Sequence, residues 1–564
     1  MAYLGQRSFN GRRTTKKPVV ELKPERFTPP DGWNAEFKTF FDFVVNGTGN
    51  GCVEAVAGGG KTTAVVEAIM QALEKNSNQK VLFVAFNVSI KDEGAKRLRG
   101  WNCDVMTCHG LGFHSLRKSS SWGGPDGKQQ FDVQDHRGAY MQSLVQAEIG
   151  PEKEKSDDRD ALMDLISKAK TTLTSDVNGM INLMDRFDIE TSYDRCDFAE
   201  KALKIMNFTA KRPGTSLIIG QGRSKGRKLS KAAITFDDEI WLPIVNDWHI
   251  DKYDMIFVDE CQDLSPARRE LIKRALKPSG RIIVIGDRYQ SIYSFSGADI
   301  DSLPILVDEF DCKMLPLSCS WRCDENIIRE AQQLNPNIVA RPNADEGIVD
   351  KIEVKDLIDK IKEGDVLLSR TNAPLVRIFF QLARQQRKVK FIGRDYGRML
   401  SYRIKSWRFR HETKVVKGEA SGLFTGHVML SYNDEWLRIQ SQNQDGEEVK
   451  VTDRQKDEHS TIIALTLDLN SSLDSERSVK EVLDRCAMFS PNEKPDDKDG
   501  ETYVTLSSTH RFKGLERNHA YLLIDTYKAG ADQEESNLLY VAQTRARHHL
   551  TYVVGRLNSI SSET

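Results

Sequence analysis

The stretch EAVAGGGKTTAVVEA, from Glu54 to Ala68, places three glycines and a lysine between an apolar run and a helix-forming segment. Residues 51–56 are short and apolar, which predicts a buried strand. Apolar residues at Val65, Ile69 and Leu73 recur at the spacing of one helix face. A strand, a glycine-rich turn and a helix in this order predict a phosphate-binding loop within an α/β fold.

The glycines of this loop let backbone N–H groups converge on phosphate oxygens at a helix N-terminus, where the potential is positive. We expect Lys61 to reach the β- and γ-phosphates of ATP and the Thr62 hydroxyl to ligate Mg²⁺. Ala55 stands where the general pattern has glycine, and a glycine-rich turn with a chance lysine is the alternative. The predicted nucleotide-binding residues of the loop are Ala57, Gly58, Gly59, Gly60, Lys61, Thr62 and Thr63.

A second segment, YDMIFVDECQDLS, supplies two carboxylates at the end of an apolar run. The run predicts a parallel strand buried on both faces, and open α/β sheets bind ligands at the carboxyl ends of their strands. Asp259 is predicted to hold Mg²⁺ through water, and Glu260 to polarise the attacking water. In a chain without a phosphate-binding loop, the same pair would indicate only the start of a polar loop.

A third apolar strand, RIIVIG, ends in the segment DRYQSIYSFSGAD. Within it, Gln290 stands where a side chain can sense the γ-phosphate. Tyr293 and Phe295 are two residues apart, so they share one face of an extended chain. Because they lie just beyond a strand end, they are predicted to stack on nucleic-acid bases, with core packing as the alternative.

The 564 residues are enough for about three or four domains, with 39% hydrophobic and 29% charged residues. The net charge of −1 means that any basic nucleic-acid surface has to be local. No stretch reaches the roughly 18 to 20 apolar residues of a membrane span. Residues 1–25 are basic, lack the apolar core of a signal peptide and are interpreted as a flexible tail. These features predict a cytoplasmic protein, in a bacterium or a host cell, without a membrane partner.

Together, the three segments resemble motifs I, II and III of superfamily 1 DNA helicases of the UvrD/Rep/PcrA type. The segment 401–499 matches no motif and is much shorter than the large insertion of full-size members of the family, which suggests a compact variant like that of a phage or plasmid. The family usually has a glutamine upstream of motif I that reads adenine, and its absence here leaves the base specificity open. Further segments resemble other motifs of the family, in its order: VLFVAFNVSI, VMTCHGLG, LSCSWRCDENI, GDVLLSRTNAPL, LSSTHRFKGLE and EESNLLYVAQTRAR.

The resemblance implies an α/β fold of two RecA-like P-loop NTPase domains with parallel sheets, each carrying an insertion, and ATP in the cleft between them. The first insertion is expected to be helical and basic, and the second short. The implied segments are 26–114 and 236–316 for the first domain, 115–235 for its insertion, 317–400 and 500–564 for the second domain, and 401–499 for the second insertion.

The resemblance also implies the roles of the site residues. The second domain contributes arginines that reach across to the γ-phosphate, and an aromatic side chain that stacks on the base. The implied catalytic residues are Lys61, Glu260, Gln290, Arg322 and Arg545. The implied nucleotide site further includes Trp321 and Glu516. The implied metal ligands are Thr62 and Asp259.

Single-stranded DNA is expected to lie across both domains. Core packing is the alternative for Phe86 and Trp321, and a hydrogen-bonded structural role is the alternative for His109 and His510. The implied DNA-binding residues are Phe86, Asn87, His109, Tyr293, Phe295 and His510.

The function that the resemblance implies is that of an ATP-dependent DNA helicase. It would translocate along single-stranded DNA from 3′ to 5′ and act at junctions of single and double strands. One alternative is a motor that is stimulated by single-stranded DNA but does not unwind, and that displaces proteins or serves a defence complex. Another alternative is an RNA helicase. Protein partners are unknown from the sequence.

Overall fold

A computed structural model describes residues 33–119, 131–152, 155–211, 232–293, 297, 302–392, 423–424, 477–478 and 502–555. The predicted basic tail, Phe295 and nearly all of the second insertion lie outside these residues. Within the described ranges, no helix is both long and apolar enough to cross a membrane.

The first part of the chain alternates strands and helices and is interrupted by a mainly helical insertion. Up to the insertion, its elements are α1 (Ala35–Asn46), β1 (Asn50–Ala55), α2 (Lys61–Lys75), β2 (Val81–Val84), α3 (Val88–Arg97), β3 (Cys103–Met106) and α4 (Cys108–Lys118). The insertion contains β4 (Phe131–Gln134), α5 (Ala139–Ile149), α6 (Ser156–Thr172), α7 (Val177–Arg186), α8 (Arg195–Lys211) and β5 (Ala232–Thr235). The chain returns with α9 (Phe236–Val245), β6 (Tyr253–Val258), α10 (Pro266–Ala275), β7 (Leu276–Gly286), α11 (Ser302–Phe310) and β8 (Cys312–Leu317).

The second part of the chain repeats the alternation. Before the second insertion, it forms β9 (Cys319–Ser320), α12 (Glu325–Gln332), β10 (Val339–Ala340), β11 (Ile348–Glu353), α13 (Leu357–Lys360), β12 (Val366–Ser369), α14 (Ala373–Arg384) and β13 (Val389–Ile392). Further along lie the short strands β14 (Leu423–Phe424) and β15 (Arg477–Ser478). The last elements are β16 (Val504–Ser508), α15 (Thr509–Phe512), β17 (Arg517–Leu523), α16 (Gln533–Gln543) and β18 (Ala546–Val554).

The first lobe, residues 33–119 and 236–317, has a six-stranded parallel sheet with the order β3-β2-β6-β7-β1-β8. Strands β2 and β6 are almost continuously apolar, as expected where helices cover both faces of a sheet. Phe83 faces a core cluster with α1 and α2, whereas Leu82 faces the cluster on the opposite side, with α10 and α11. Parallel strands end at one edge, so the segments after β1, β6 and β7 meet there.

The insertion module, residues 131–211 and 232–235, has a core cluster among α5 to α8 that also includes Leu116 of α4 and Trp241 and Leu242 of α9. Its two strands, β4 and β5, pair in parallel although they are far apart in the sequence. An ion pair of 2.7 Å between Lys170 on α6 and Asp238 on α9 is almost fully buried. This pair ties the module to the first lobe.

The second lobe, residues 318–392 and 502–555, has a six-stranded parallel sheet with the order β11-β18-β17-β12-β16-β13. The two parallel sheets confirm the predicted α/β fold class. The domain limits stay a prediction; β8 of the first sheet ends at Leu317, beside the predicted limit at residue 316.

Candidate functional site

The glycine loop between β1 and α2 is shaped by backbone that only glycine adopts readily. Gly58 has φ +70° and Gly60 has φ +74°. Within the part of the chain that the structure describes, no side chain caps the N-terminus of α2, so its first N–H groups are available to an anion. A Cβ atom on Gly58 would lie 2.6 Å from Cβ of Arg322 and 2.8 Å from Oγ of Ser320. The glycine therefore lets the loop approach the second lobe closely.

Thr62 and Asp259, the predicted metal ligands, are in contact. The Thr62 hydroxyl donates a hydrogen bond of 2.9 Å to Oδ2 of Asp259, which lies directly after β6 and is almost fully buried. Burial, together with the charge of Glu260, raises the pKa of Asp259 above its ordinary value. A hydroxyl and a carboxylate at the start of α2 form an all-oxygen donor set that suits Mg²⁺.

Glu260 lies at the centre of the site with its backbone in the left-handed region, at φ +52°. Its Oε1 lies 3.7 Å from Nζ of Lys61, and its Oε2 accepts a hydrogen bond of 2.6 Å from Gln262. Burial raises the pKa of Glu260, but the charges of Lys61, Lys513 and Arg545 outweigh it and hold that pKa below its ordinary value. The carboxylate is therefore charged and able to accept a hydrogen bond from water.

Gln290 connects the first lobe to Arg545 of the second. Its Nε2 donates to Oδ2 of Asp287 at 2.7 Å, and its Oε1 accepts from Arg545 at 3.4 Å. Arg545 is 1% exposed, and its Nε donates to the carbonyl oxygen of Val541 at 2.8 Å. Burial, and then the charge of Arg322, lowers the pKa of Arg545 to about 9. This guanidinium is thus held beside Gln290, the predicted γ-phosphate sensor.

Arg322 and Glu516, also predicted for the nucleotide site, form an ion pair within the second lobe. Arg322 donates through Nη1 to the carbonyl oxygen of Thr544 at 3.0 Å, next to Arg545. Glu516 accepts a second hydrogen bond, of 2.9 Å, from Arg547. Burial raises the pKa of Glu516, but the two arginines outweigh it and lower that pKa.

Trp321 lies against the glycine loop, because its backbone N–H donates to the carbonyl oxygen of Gly58 at 2.9 Å. Its indole is 6.5 Å from the ring of Phe37, between ring centroids, and among the described residues the buried indole nitrogen has no hydrogen-bond partner. Thr63 accepts a hydrogen bond of 3.3 Å from Arg97, which holds it at the side of α2.

Three of the predicted DNA-binding residues form one row of rings across the two lobes. Phe86 stacks on Tyr293 at 6.2 Å between centroids, and Tyr293 lies 6.5 Å from the ring of His510. The Tyr293 hydroxyl donates to the carbonyl oxygen of His510 at 2.9 Å. Arg268 lies 5.9 Å over Phe86, and Lys513 lies 4.8 Å over Tyr293. Burial lowers the pKa of His510 to about 4, so its ring is neutral at pH 7.

His109 and Asn87 lie apart from this row. His109 pairs with Glu239 at 3.0 Å and packs edge to face with Phe236 at 5.1 Å. Phe236 is 53% exposed and was not predicted from the sequence, because its neighbours resemble no motif. The Asn87 side chain accepts a hydrogen bond from the backbone N–H of Ile90 and caps α3.

Sequence reasoning missed the residues that join the lobes. Lys513 donates hydrogen bonds of 2.6 Å to Oδ2 of Asp263 and to the carbonyl oxygen of Gln290. The Tyr540 hydroxyl accepts from the backbone N–H of a loop residue, and Asn537 donates to the segment after β7. Both Lys513 and Tyr540 lie inside the quoted motifs, but the sequence carries no signal for partners more than 200 residues away.

Comparisons with known proteins match both lobes. Residues 41–311 match the family model of the UvrD/REP helicase N-terminal domain, and residues 503–553 match that of the UvrD-like helicase C-terminal domain. Over 521 residues, the chain is 23% identical to F-box DNA helicase protein 1 of Schizosaccharomyces pombe, which covers 88% of this chain and 55% of that protein.

Shorter matches involve bacterial relatives. ATP-dependent DNA helicase PcrA of Staphylococcus epidermidis is 30% identical over 118 residues, which is 19% of this chain and 16% of that protein. ATP-dependent DNA helicase Rep of Escherichia coli is 32% identical over 118 residues, 19% of this chain and 17% of that protein. The chain thus aligns with about half of the yeast protein and with less than a fifth of each bacterial one.

Both matched models describe domains of UvrD-type helicases. The chain belongs to the UvrD-type helicases of superfamily 1.

Proposed function

We propose that the chain hydrolyses ATP and uses the energy to move along single-stranded DNA and separate strands. The observation that carries this proposal is a convergence at one cleft. Lys61, Glu260 and Gln290 of the first lobe lie beside Arg545 of the second, and Phe86, Tyr293 and His510 cross the same junction. A nucleotide site and a row of rings that share a junction support a motor in which hydrolysis moves a strand.

The site fits ATP with Mg²⁺. Thr62 and Asp259 would hold the cation, which supplies neutralising charge to the phosphates when it is bound. The glycine loop and the uncapped N-terminus of α2 would bind the phosphate oxygens, and Lys61 would pair with them. Trp321 lies against the loop, in a position to stack on the base. Since it brings no amide that reads adenine, selectivity among bases is part of the test.

In the proposed reaction, the charged Glu260 accepts a hydrogen bond from water and orients it toward the γ-phosphate. Arg545 and Arg322 stabilise the negative charge that develops on the phosphoryl oxygens, and such arginines contribute about 10³–10⁵ in rate in related reactions. Because these arginines belong to the second lobe, loss of the γ-phosphate weakens the link between the lobes. This would convert hydrolysis into relative motion of the two lobes along the strand.

The row of rings supports single-stranded nucleic acid as the track. Stacking on aromatic side chains contributes roughly 1–3 kcal/mol per base and tolerates any sequence. A motor that steps without reading sequence needs this tolerance. The 3′ to 5′ direction is proposed from the resemblance of IYSFSGAD and YVAQTRA to the UvrD group. Action at junctions of single and double strands is proposed from the resemblance to the helicase family as a whole.

The central test is ATP hydrolysis with and without single-stranded DNA, for the wild type and Glu260→Gln. We expect strong stimulation by DNA that is lost in Glu260→Gln while nucleotide binding survives. Glu363→Gln is the matched control, because Glu363 is exposed between α13 and β12. Hydrolysis that is indifferent to DNA would contradict the proposal, and stimulation by RNA alone would identify the RNA helicase.

Direction and unwinding need a second experiment with tailed duplexes. We expect strand separation on a duplex with a 3′ single-stranded tail, and little on one with a 5′ tail. Displacement of a bound protein without strand separation would identify the motor that does not unwind. The same assays with GTP, CTP and UTP measure the base selectivity.

A further inference from the structure

Tyr540 enters the first lobe from a helix of the second. It lies on α16, is fully buried, and packs edge to face with Tyr289 at 6.0 Å between centroids. The same core cluster contains Val56 and Ala57, two residues of the glycine loop. A side chain of one lobe is thus built into the base of the loop in the other.

The Tyr540 hydroxyl uses its whole hydrogen-bonding capacity at this junction. It accepts from the backbone N–H of Ala57 at 3.1 Å and from Nδ2 of Asn335 at 3.1 Å, and it donates to Oδ2 of Asp287 at 3.4 Å. A hydroxyl has one donor and two acceptor sites, so none is left over. Burial and the charge of Asp287 raise the pKa of Tyr540 well above its ordinary value, which keeps the hydroxyl protonated.

The segment that follows Tyr540 is held by local hydrogen bonds and ends in the buried Arg545. The Thr544 backbone N–H and hydroxyl both donate to the carbonyl oxygen of Tyr540, at 3.1 Å and 2.9 Å. The Arg545 guanidinium folds back onto this turn and donates to Val541. These bonds link the turn that carries Tyr540 to the turn that carries Arg545.

Asp287 of the first lobe connects Tyr540 to Gln290 and, through Gln290, to Arg545. It accepts from the Tyr540 hydroxyl and from Gln290, and Gln290 accepts from Arg545. We infer that Tyr540 is a positioning residue: its hydroxyl fixes the glycine loop at Ala57 and so sets where Arg545 stands relative to the phosphates. This rests on the proposed ATP hydrolysis and adds to it a residue that acts through Arg545 rather than on the nucleotide.

The test is Tyr540→Phe, which keeps the ring and removes only the hydroxyl. Tyr552→Phe is the matched control, because that hydroxyl contacts Gln543 and Glu330 within the second lobe. We expect Tyr540→Phe, which removes all three hydrogen bonds of the hydroxyl, to lower kcat for DNA-stimulated ATP hydrolysis about tenfold, with KM for ATP within about threefold. Tyr552→Phe should change neither value more than about twofold.

A second measurement does not depend on hydrolysis. Hydrogen exchange of the peptide covering residues 53–62 should be at least about tenfold faster in Tyr540→Phe, and unchanged in Tyr552→Phe, because the Ala57 N–H loses its acceptor. Unchanged exchange, an unchanged kcat, or equal losses in the two variants would overturn the inference. A wild type that does not hydrolyse ATP would refute the proposed function, and the exchange comparison would still decide whether Tyr540 holds the loop.

Discussion

Arg545 combines full burial with a contact across the cleft. Three of its guanidinium bonds go to oxygens of the second lobe, on Val541, Leu515 and Thr544, and the fourth goes to Gln290. Lysine has a single nitrogen and no planar fork, so Arg545→Lys keeps the charge but loses this fixed geometry. We expect kcat for ATP hydrolysis to fall about 100-fold, which is less than the roughly 10³–10⁵ that an arginine finger contributes because lysine keeps the charge.

The control for Arg545→Lys is Arg329→Lys. Arg329 is exposed on α12, and its ion pair with Glu325 is of the kind that contributes little. Steady-state hydrolysis and thermal unfolding of both variants separate catalysis from stability. A kcat for Arg545→Lys within about threefold of the wild type would show that the guanidinium geometry is unimportant.

Some of the candidate residues follow from the sequence because their partners are local. Lys61 and Thr62 are fixed by the glycine turn before them, and Asp259 and Glu260 by the strand that they follow. Their roles stay predictions, although the structure brings all four together. The sequence analysis assigned Asn87 to DNA binding and overlooked its local bond as the N-cap of α3, although asparagine is favoured at that position.

The role of the glycine loop can be tested by substituting two glycines that have a similar left-handed backbone conformation. Gly58 and Gly49 have φ +70° and +76°, but of the two, only a Cβ on Gly58 would meet atoms of other described residues, those of Arg322 and Ser320. We expect Gly58→Ala to weaken ATP binding at least about tenfold, because the loop and the second lobe are forced apart. Gly49→Ala carries only the cost of the left-handed backbone, about 1–2 kcal/mol. Equal nucleotide affinity in the two variants, measured by titration, would contradict this account.

The sheet of the second lobe contains a stacked histidine pair with a testable pH dependence. His519 on β17 lies 3.7 Å from His549 on β18, between ring centroids, and burial, then the charge of His549, lowers the pKa of His519 to about 4. Between the ordinary pKa of about 6.5 and that value, the unfolded chain binds a proton that the folded chain does not. His519 therefore makes the free energy of unfolding fall as the pH falls from 7 to 5.

We expect His519→Gln to reduce the loss of thermal stability between pH 7 and pH 5. Glutamine keeps a donor for Thr551, which His519 contacts at 2.8 Å, and does not titrate. His249→Gln is the control, because the side chain of His249 is 73% exposed. If the unfolding midpoint falls by the same amount between pH 7 and pH 5 in the wild type and in His519→Gln, the prediction is wrong.

Elements were predictable where a local signal marks them. The apolar runs of β1, β6 and β7 end in glycine or acidic residues, and the structure has strands there. The pairing of β4 with β5 was not foreseen, because each strand has four residues and the pair spans the whole insertion. Only tertiary packing brings such strands together.

The molecule as a whole is held by contacts that no local pattern indicates. Lys513, Asn537 and Tyr540 each reach a partner more than 200 residues away. The motif order indicates which segments meet at the cleft, but not which side chains bond across it. Which side chains form these bonds depends on how the two sheets are placed, and this placement is determined by the entire fold.

The ion pair of Lys513 and Asp263 allows the contribution of a contact between the lobes to the free energy of unfolding to be measured. The atoms are 2.6 Å apart, and the side chains are 6% and 1% exposed. Removing one partner of a buried pair typically costs about 3–5 kcal/mol, whereas replacing both by apolar residues is often neutral. We therefore expect Lys513→Met and Asp263→Leu each to destabilise the protein strongly, and the double variant to recover much of the loss. Urea unfolding of all four proteins gives the coupling energy. Purely additive losses would mean that the pair does not hold the lobes together.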